Sequence, residues 1–342
     1  MPEYDVVILG AGPGGYVAAI RGARLGQSVC LIEKDELGGT CLNKGCIPTK
    51  ALISCVEAYE FSKKLDKFGV KVENVFLDIQ KMMEKKNKTV ERLRKGVDYL
   101  LKRGKVDIVK GIGKFIAPGI IDVDCNDGIS RIKAPKTIIA TGSTPLTFPS
   151  FGYNGKTIIT SDEALDCQEV PQSILIVGGG VIGCELAFIF AGLGSKVTVV
   201  DIMPTILPME DPDISAIINT SFRKSGVTVK CGIKIEKIIE SHGKAVAYLE
   251  SGEQLVADKV LLSVGRKPNS QGIGLSKIGI KVNDRGEILV NNKMETNIPG
   301  IYGIGDVVGN IMLAHVASFE GLIAIHNVAG ENRSMNYNSV PS

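Results

Sequence analysis

The chain has 342 residues, which is enough for two or three domains that each bury a core. Hydrophobic residues make up 44% of the chain and charged residues 23%, as in ordinary globular proteins. The 40 basic and 37 acidic residues leave a net charge of +3, which is too small to favour nucleic-acid binding. The basic run at 85–95 is predicted to be the solvated face of a helix.

The sequence also argues against a membrane protein. No apolar stretch approaches the ~18 residues that a membrane-spanning helix needs. The first residues run directly into an apolar, strand-like segment, YDVVILG, without the basic start or cleavage site of a signal peptide. We therefore expect a cytoplasmic protein with no membrane partner. In that compartment, two neighbouring cysteines more often bind a metal or carry out redox chemistry than brace the fold.

Residues 4–33 form the first recognisable unit along the chain. A strand runs into Gly10, Gly12 and Gly15 in the pattern G-x-G-x-x-G, a helical pattern follows, and a second strand ends at Glu33. Gly10 permits a tight turn, Gly12 lets a pyrophosphate approach the helix N-terminus, and Gly15 lets helix and strand pack closely. Glu33 can accept hydrogen bonds from ribose hydroxyls, so the unit predicts a dinucleotide site.

Cys41 and Cys46 lie five positions apart in the next segment, GGTCLNKGCIPTK, at 38–50. A zinc site, a pair of inert thiols and a redox-active dithiol are the alternatives. None of the three histidines is close in sequence, which disfavours zinc, and the other six cysteines are predicted to be small buried hydrophobes. A helix that begins near Pro48 would place Cys46 at its N-terminus, with Lys50 one turn later. Both features favour a thiolate, so the dithiol is the preferred interpretation.

A second unit of the same kind occupies residues 173–201. Gly178, Gly180 and Gly183 hold the three glycine positions, and Asp201 is the terminal acid. An acid there repels a 2′-phosphate, so this site is predicted to prefer NAD to NADP. Two such units in one chain suggest that a nicotinamide and a flavin are used together, because a flavin can receive the hydride of a nicotinamide.

Other segments complete an α/β pattern. Residues 78–103 predict a long helix, and residues 244–264 predict an antiparallel hairpin that turns at Ser251-Gly252. Elsewhere strands alternate with helices, which predicts parallel sheets.

With these motifs the chain resembles the class I pyridine nucleotide-disulfide oxidoreductases. Besides the cysteine loop, the resemblance rests on five segments in the family's order: ATGS (140–143), GGGVIGCE (178–185), VGRKPN (264–269), IYGIGDV (301–307) and MLAHVASFEG (312–321). It is strongest to the dihydrolipoamide dehydrogenase branch, which serves 2-oxo acid dehydrogenase and glycine cleavage complexes. It implies an α/β fold of the three-layer ββα type, with two Rossmann-like domains for FAD and NAD and a central domain.

The resemblance implies that FAD binds at the first glycine unit. Asp306 matches a carboxylate that hydrogen-bonds the ribityl chain, and residues 312–315 match a helix N-terminus that faces the flavin. The positions that match FAD-contacting residues of the family are Gly10, Gly12, Pro13, Gly14, Glu33, Lys34, Gly38, Gly39, Thr40, Cys41, Lys50, Gly113, Thr141, Gly142, Ser143, Asp306, Met312, Leu313, Ala314 and His315.

NAD is implied at the second unit, and no metal site is implied. The family more often has Glu where this chain has Asp201, so the exact contact to the ribose differs. The matching positions are Gly178, Gly180, Val181, Ile182, Gly183, Glu185, Asp201 and Gly265.

The resemblance also implies a catalytic role for four residues. Cys46 matches the thiol beside the flavin, and Cys41 matches the thiol that exchanges with the substrate. Lys50 matches a lysine near the hydride-accepting nitrogen of the flavin, and Glu185 matches its ion-pair partner. A dihydrolipoyl thiolate would attack Cys41, and the electrons would pass through Cys46 and FAD to NAD⁺.

The predicted domains are 1–145 for FAD and the redox disulfide, 146–268 for NAD, and 269–342 as a central domain that completes the FAD site. Members of the family continue into a C-terminal interface domain, which carries the dimer contact and a His-Glu acid-base pair and is absent here. We therefore expect a homodimer only in a full-length form and slow turnover by this chain. The expected partner is a lipoyl domain.

Two other functions stay open. One is a sibling flavoprotein such as a mercuric or glutathione reductase. Glutathione reductases need basic residues after the second acid, and residues 201–207 contain none, while the cysteine pair of a mercuric reductase would lie beyond residue 342. The other is a catalytically silent FAD-binding fragment.

Overall fold

The computed structural model describes residues 1–125 and 127–341, and these fold into two compact units. The first unit comprises Met1–Asn43, Val90–Thr144 and Lys267–Ser342. The second unit comprises Lys44–Thr89 and Pro145–Arg266. Residues from 267 onward thus belong to the first unit.

The helices are mostly short, and the fourth is the longest. They are α1 (Pro13–Arg24), α2 (Gly39–Lys44), α3 (Cys46–Ser62), α4 (Ile79–Arg103), α5 (Ser161–Ala164), α6 (Val181–Gly192), α7 (Pro212–Lys224) and α8 (Ala314–Val328), with 3-10 turns at Leu65–Phe68, Pro149–Phe151, Leu275–Ile278, Gly305–Val308 and Tyr337–Ser339.

The strands are between three and seven residues long. They are β1 (Val6–Leu9), β2 (Val29–Glu33), β3 (Asp107–Lys110), β4 (Ile112–Ala117), β5 (Ile120–Cys125), β6 (Gly128–Lys133), β7 (Lys136–Ile139), β8 (Ser143–Pro145), β9 (Ile158–Thr160), β10 (Ser173–Val177), β11 (Lys196–Asp201), β12 (Thr228–Cys231), β13 (Ile235–Ser241), β14 (Lys244–Leu249), β15 (Gln254–Ala257), β16 (Lys259–Leu262), β17 (Arg266–Pro268) and β18 (Ile301–Gly303).

The first unit is built on a parallel sheet in the order β18-β7-β1-β2-β3, accompanied by the antiparallel sheet β4-β5-β6. Strand β1 is fully buried, because the crossover through α1 covers one face and the antiparallel sheet covers the other. Its side chains therefore alternate between two cores, with Val6 and Ile8 on the helical side and Val7 and Leu9 on the side of Phe115 in β4.

The second unit repeats this plan with a parallel sheet, β12-β11-β10-β16-β9, and an antiparallel sheet, β13-β14-β15. Here Ile174 and Ile176 of β10 pack against the helices, while Leu175 and Val177 face the antiparallel sheet. Each unit therefore has three layers, two of strands and one of helices, as the sequence predicts.

Two details of the sequence prediction are wrong. The hairpin predicted over 244–264 contains only β14 and β15, because β16 leaves it and joins the parallel sheet beside β10. The basic run at 85–95 is mostly exposed, but Lys86 is 3% exposed. Its Nζ donates to the Leu165 carbonyl oxygen at 2.7 Å and lies 2.5 Å from Asp166 Oδ1, so this charge is buried with partners.

Candidate functional site: two nucleotide loops and a cysteine-bearing helix

The first glycine loop has a backbone that only glycine suits at two positions. Gly10 has φ +102°, and its N–H donates to the Ile32 carbonyl at 2.8 Å. A Cβ on Gly15 would lie 1.9 Å from the Gly10 carbonyl oxygen. The close contact of α1 with β1 therefore requires both glycines, as predicted from their spacing.

The second glycine loop repeats this geometry closely. Gly178 has φ +107°, and its N–H donates to the Val200 carbonyl at 2.8 Å. A Cβ on Gly183 would again lie 1.9 Å from the carbonyl oxygen of the first glycine. Two segments of unrelated neighbouring sequence thus adopt one strand-turn-helix geometry.

The middle glycine of each loop has a different reason to be glycine. Gly12 has φ −69° and Gly180 has φ −73°, values that any residue can adopt. A Cβ on Gly180 would meet no atom within 4 Å, and a Cβ on Gly12 would approach only Gly39 Cα, at 3.9 Å. Packing within each unit therefore does not demand glycine, and both positions leave space where a ligand can approach the backbone.

These two positions are also the N-caps of α1 and α6. Neither helix has a side-chain cap or an acidic residue in its first turn. The free N–H groups and the positive end of the helix dipole suit a pyrophosphate. The residues present at each loop therefore fit the phosphates of a dinucleotide.

The terminal acids, predicted to bind ribose hydroxyls, also hold the loops. Glu33 is 8% exposed, and its two oxygens accept hydrogen bonds from the Ala11 and Asp35 N–H groups at 2.7 and 2.8 Å. Asp201 accepts in the same way from Gly179 and Met203 at 2.5 and 2.7 Å. A carboxylate has about four acceptor positions, so a ribose hydroxyl can be bound as well.

Cys41 lies on the short helix α2, which packs on the first glycine loop. The Gly38 N–H donates to the Ala11 carbonyl at 2.9 Å. A Cβ on Gly39 would lie 2.5 Å from Gly12 Cα, so the two backbones touch. The segment that carries this cysteine is thus held against the predicted phosphate site of the same unit.

Cys46 is the first residue of α3, in the second unit. The Thr49 N–H and Oγ1 both donate to the Gly45 carbonyl, at 3.1 and 2.7 Å, which closes the first turn of the helix. The Cys46 residue is exposed and sits at the positive end of a 17-residue helix. This environment favours a thiolate, as predicted.

Lys50 follows one turn later, and its Nζ lies 2.5 Å from Glu185 Oε1 on α6. The Lys50 side chain is 59% exposed and that of Glu185 26%. The structure thus brings together the two residues that the family resemblance pairs. Because both side chains contact water, the pair adds little to stability and is better suited to orienting the lysine.

Asp306 begins a different part of the first unit, a 3-10 turn that follows β18. The Ser143 hydroxyl donates to its Oδ2 at 2.5 Å. Nearby, Thr141 Oγ1 donates to the Asn269 carbonyl at 2.8 Å. Three predicted cofactor positions, Thr141, Ser143 and Asp306, thus line the carboxyl-terminal edge of the same sheet, beyond β7 and β18.

The segment 312–315 leads into α8, which begins at Ala314 with Leu313 as its N-cap. No side chain caps this helix, so its N–H groups remain available. His315 Nε2 lies 2.9 Å from the Pro341 carbonyl oxygen, which ties the helix start to a later segment of the chain.

The remaining predicted positions are distributed over both units. Lys34 is exposed after β2, and Thr40 lies on α2. Gly113 in β4 packs on β1, since a Cβ there would lie 2.6 Å from Leu9 Cδ2. Val181 opens α6 and is 54% exposed. Gly265 has φ +121° in the second unit.

Comparison with known proteins identifies the family. The sequence pattern of the pyridine nucleotide-disulphide oxidoreductases matches residues 4–321. The chain belongs to this family. It is 44% identical to a dihydrolipoyl dehydrogenase of Bacillus subtilis, over 96% of this chain and 72% of the relative. It is 42% identical to a dihydrolipoyl dehydrogenase of Chlorobaculum tepidum, over 96% of this chain and 71% of the relative.

Solved structures agree with this assignment. The flavoprotein disulfide reductase RclA of Escherichia coli superposes with a TM-score of 0.86 at 30% identity, covering 97% of this chain and 72% of that chain. The predicted family and fold class are thus confirmed. The predicted cofactors, FAD and NAD, are confirmed as well, since they are the cofactors of this family. The roles of individual residues and the domain boundaries stay predictions.

The sequence prediction missed residues that hold the site in place. Asn43 Nδ2 donates to the carbonyls of Leu37 and Gly39, both at 3.0 Å, and fixes the loop before Cys41. Glu320 is 1% exposed on α8 and accepts a hydrogen bond from Gly305. A lone acid in the apolar helix MLAHVASFEGLIAIHNV was the available signal for Glu320.

The other cysteines are less uniform than predicted. Cys30 and Cys184 are buried, and burial raises the pKa of each thiol to about 12. Cys55, Cys125, Cys167 and Cys231 are only half-buried, so that part of the prediction is wrong. They lie at the margins of sheets and helices, where one side of the residue meets water.

Two searches of the described residues gave no candidates. Within residues 1–125 and 127–341, no group of three or more His, Cys, Asp or Glu side chains is arranged to hold a metal ion. Over the same residues, no helix combines the length and the apolar character that crossing a membrane requires.

Proposed function

We propose that the chain is a dihydrolipoyl dehydrogenase, which oxidises dihydrolipoyl groups carried by a protein and reduces NAD⁺ through FAD and a Cys41–Cys46 disulfide. The observation that carries this proposal is the repeated glycine loop, since two loops with the same φ at their first glycine serve two dinucleotides. The names of the relatives, at 44% and 42% identity, support the substrate.

FAD supplies the two-electron carrier between the cysteine pair and NAD⁺. Among the protein residues, the first glycine loop binds the FAD pyrophosphate, and Asp306 accepts hydrogen bonds from the ribityl hydroxyls. The second glycine loop binds NAD, and Asp201 disfavours a 2′-phosphate. Lys50 is held by Glu185 and bears a positive charge one helical turn from Cys46.

The cysteines carry out the exchange with the substrate. One dihydrolipoyl thiolate attacks Cys41 Sγ, forms a mixed disulfide and releases Cys46 as a thiolate. The second dihydrolipoyl thiol loses its proton, attacks the substrate sulfur of the mixed disulfide and closes the lipoyl disulfide, which releases Cys41. The substrate has then lost two electrons and two protons, and the cysteine pair has gained the two electrons. The helix N-terminus stabilises the thiolate of Cys46.

Several finer statements are part of the same proposal. The domains run over 1–145 for FAD, 146–268 for NAD and 269–342 as the central domain. The partner is the lipoyl domain of a 2-oxo acid dehydrogenase or glycine cleavage complex. The full-length protein is a homodimer, and it is cytoplasmic.

An anaerobic titration tests the proposal. The purified chain is loaded with FAD and titrated with dihydrolipoamide while the long-wavelength absorbance of a thiolate–flavin contact is recorded. We expect this band in the wild type and in Cys41→Ser, and its loss in Cys46→Ser. Reduced glutathione serves as the matched alternative substrate. A band that forms with glutathione but not with dihydrolipoamide would favour a sibling reductase, and the absence of any band would favour a silent FAD-binding fragment.

A further inference from the structure

Glu320 is the most deeply buried acid of the first unit for which the proposed function has no role. It lies on α8 and is 1% exposed. Its Oε2 accepts a hydrogen bond from the Gly305 N–H at 2.6 Å. Its Oε1 accepts one from the Tyr337 hydroxyl, also at 2.6 Å. A buried carboxylate is tolerated only when such partners compensate for lost water.

Tyr337 extends this contact to the last described segment of the chain. It begins the 3-10 turn Tyr337–Ser339, and its hydroxyl accepts a hydrogen bond from Asn310 Nδ2 at 3.0 Å. The hydrogen bonds therefore run in one direction, from Asn310 through Tyr337 to Glu320. The segment after α8 is thus connected to the interior of the first unit by a polar contact.

The Gly305 end of this chain of hydrogen bonds lies beside the predicted FAD contact. Gly305 has φ +68° and precedes Asp306 directly. A Cβ on Gly305 would lie 3.2 Å from Ala317 Cβ on α8, so the turn is pressed against the helix that carries Glu320. With Gly305 fixed from one side and the Asp306 carboxylate held by Ser143 from the other, the turn has little freedom.

We propose that Tyr337 and Glu320 are positioning residues for FAD, which fix the Gly305–Asp306 turn through consecutive hydrogen bonds. The last segment of the chain thereby sets the orientation of the Asp306 carboxylate toward the ribityl chain. This inference rests on the proposed use of FAD at the first glycine loop. It assigns both residues an indirect role, since neither is placed against the cofactor.

The charges around Glu320 are consistent with this role. Burial raises the pKa of the Glu320 carboxyl, and the nearby Asp306 carboxylate raises it further. The Tyr337 and Gly305 donors oppose both effects. Tyr337 and Asp306 are the titratable groups that act on this carboxyl, so removal of the Tyr337 hydroxyl removes one of its two stabilising hydrogen bonds.

The decisive variant is Tyr337→Phe, which removes the hydroxyl and keeps the ring. We expect it to weaken FAD binding by about tenfold, because a buried acceptor loses its donor and the turn loosens. FAD affinity is measured by titrating the apoprotein and following flavin fluorescence. Visible circular dichroism of the bound flavin reports its orientation, and we expect this spectrum to change as well.

Tyr153→Phe is the matched control. Tyr153 is in the second unit, and its hydroxyl donates to Glu163 Oε1 at 2.7 Å, so this variant also loses a Tyr–Glu hydrogen bond. We expect its FAD affinity and flavin dichroism to equal those of the wild type. A simple loss of stability would lower the melting temperatures of both variants without a selective effect on the flavin.

A second variant, Glu320→Gln, keeps the test decisive if Tyr337→Phe does not fold. It preserves the shape of the side chain and removes one acceptor, and we expect the same change in flavin dichroism with weaker binding. Wild-type affinity and dichroism in whichever of the two variants folds would overturn the inference while leaving the proposed function intact. Failure of the wild-type chain to bind FAD would overturn both.

Discussion

Lys50 and Glu185 form an ion pair within the second unit, although they are 135 positions apart in the sequence. The pair joins α3, which begins with Cys46, to α6, which begins at the second glycine loop. One side-chain contact therefore connects the helix of the redox cysteine to the predicted NAD site. The consequence for reactivity can be measured directly.

Lys50→Met should make Cys46 less reactive. Loss of a cation one turn away disfavours the thiolate, so alkylation of Cys46 by iodoacetamide at neutral pH should slow by roughly fivefold, the effect of about 1 kcal/mol. The rate is measured in the reduced protein on a Cys41→Ser background. Unfolding free energy should change by less than about 1 kcal/mol, since the ion pair is largely exposed.

Lys63→Met is the control for this experiment. Lys63 follows α3 and forms an ion pair with Glu60 at 2.6 Å, but at the opposite end of the helix from Cys46. The alkylation rate of Cys46 should be unchanged in this variant. Equal slowing by both substitutions would show that Lys50 has no specific influence on the thiol.

Gly180→Ala and Gly183→Ala should separate binding from folding. A Cβ on Gly180 meets nothing, so Gly180→Ala should change the unfolding free energy by no more than about 1 kcal/mol and should weaken NAD binding by at least about tenfold. A Cβ on Gly183 would collide with the Gly178 carbonyl, so Gly183→Ala should destabilise the fold by roughly 2 kcal/mol or more. Urea unfolding and NADH fluorescence titration measure the two effects. NAD affinity in Gly180→Ala that matches the wild type would contradict the assignment of this loop.

The stability of the first unit should depend on the ionisation of Glu320. Burial raises the pKa of this carboxyl above its ordinary value of 4.5, so the folded protein holds the proton at pH values where the unfolded chain has lost it. Stability due to this group is therefore complete below pH 4.5 and decreases as pH rises toward the raised pKa, by at most about 1.4 kcal/mol per pH unit. Glu320→Gln should lack this decrease in urea unfolding measured from pH 4.5 upward. Parallel pH profiles for wild type and variant would contradict the prediction.

Cys30 and Cys184 should resist alkylation in the folded protein. Burial raises the pKa of each thiol to about 12, so at pH 8 neither supplies a reactive thiolate. Brief treatment of the reduced protein with iodoacetamide, followed by peptide mass spectrometry, should label Cys46 and leave these two unlabelled. Denaturation in urea should make both reactive, which serves as the internal control. Rapid labelling of Cys184 in the folded chain would mean that α6 opens in solution.

The glycine loops could be predicted from the sequence because their geometry is local. Each needs a strand, three glycines at fixed spacing and a helix, and these features lie within about 30 consecutive residues. The position of Cys46 at a helix N-terminus follows in the same way from Pro48. The ion pair of Lys50 with Glu185 was predictable only through the family resemblance, since no local pattern links α3 to α6.

Other features depend on contacts between distant segments, and here the sequence was insufficient. The departure of β16 from the predicted hairpin follows from Asp258, whose carboxylate accepts hydrogen bonds from the N–H and hydroxyl of Ser173, both at 2.8 Å. That contact draws the chain to β10. The role of Glu320 likewise requires Tyr337 and Gly305, which converge only after folding.

The order in which the chain passes through the two units has a consequence for its synthesis. The second unit is complete once residue 266 has left the ribosome, whereas the first unit still lacks β18, α8 and the Asp306 turn. The nicotinamide-type unit can therefore become compact while the flavin-type unit, begun earlier, still has an open sheet edge at β7. The nascent protein acquires its flavin site last, and a ribosome that stalls before β18 releases a chain with that edge exposed.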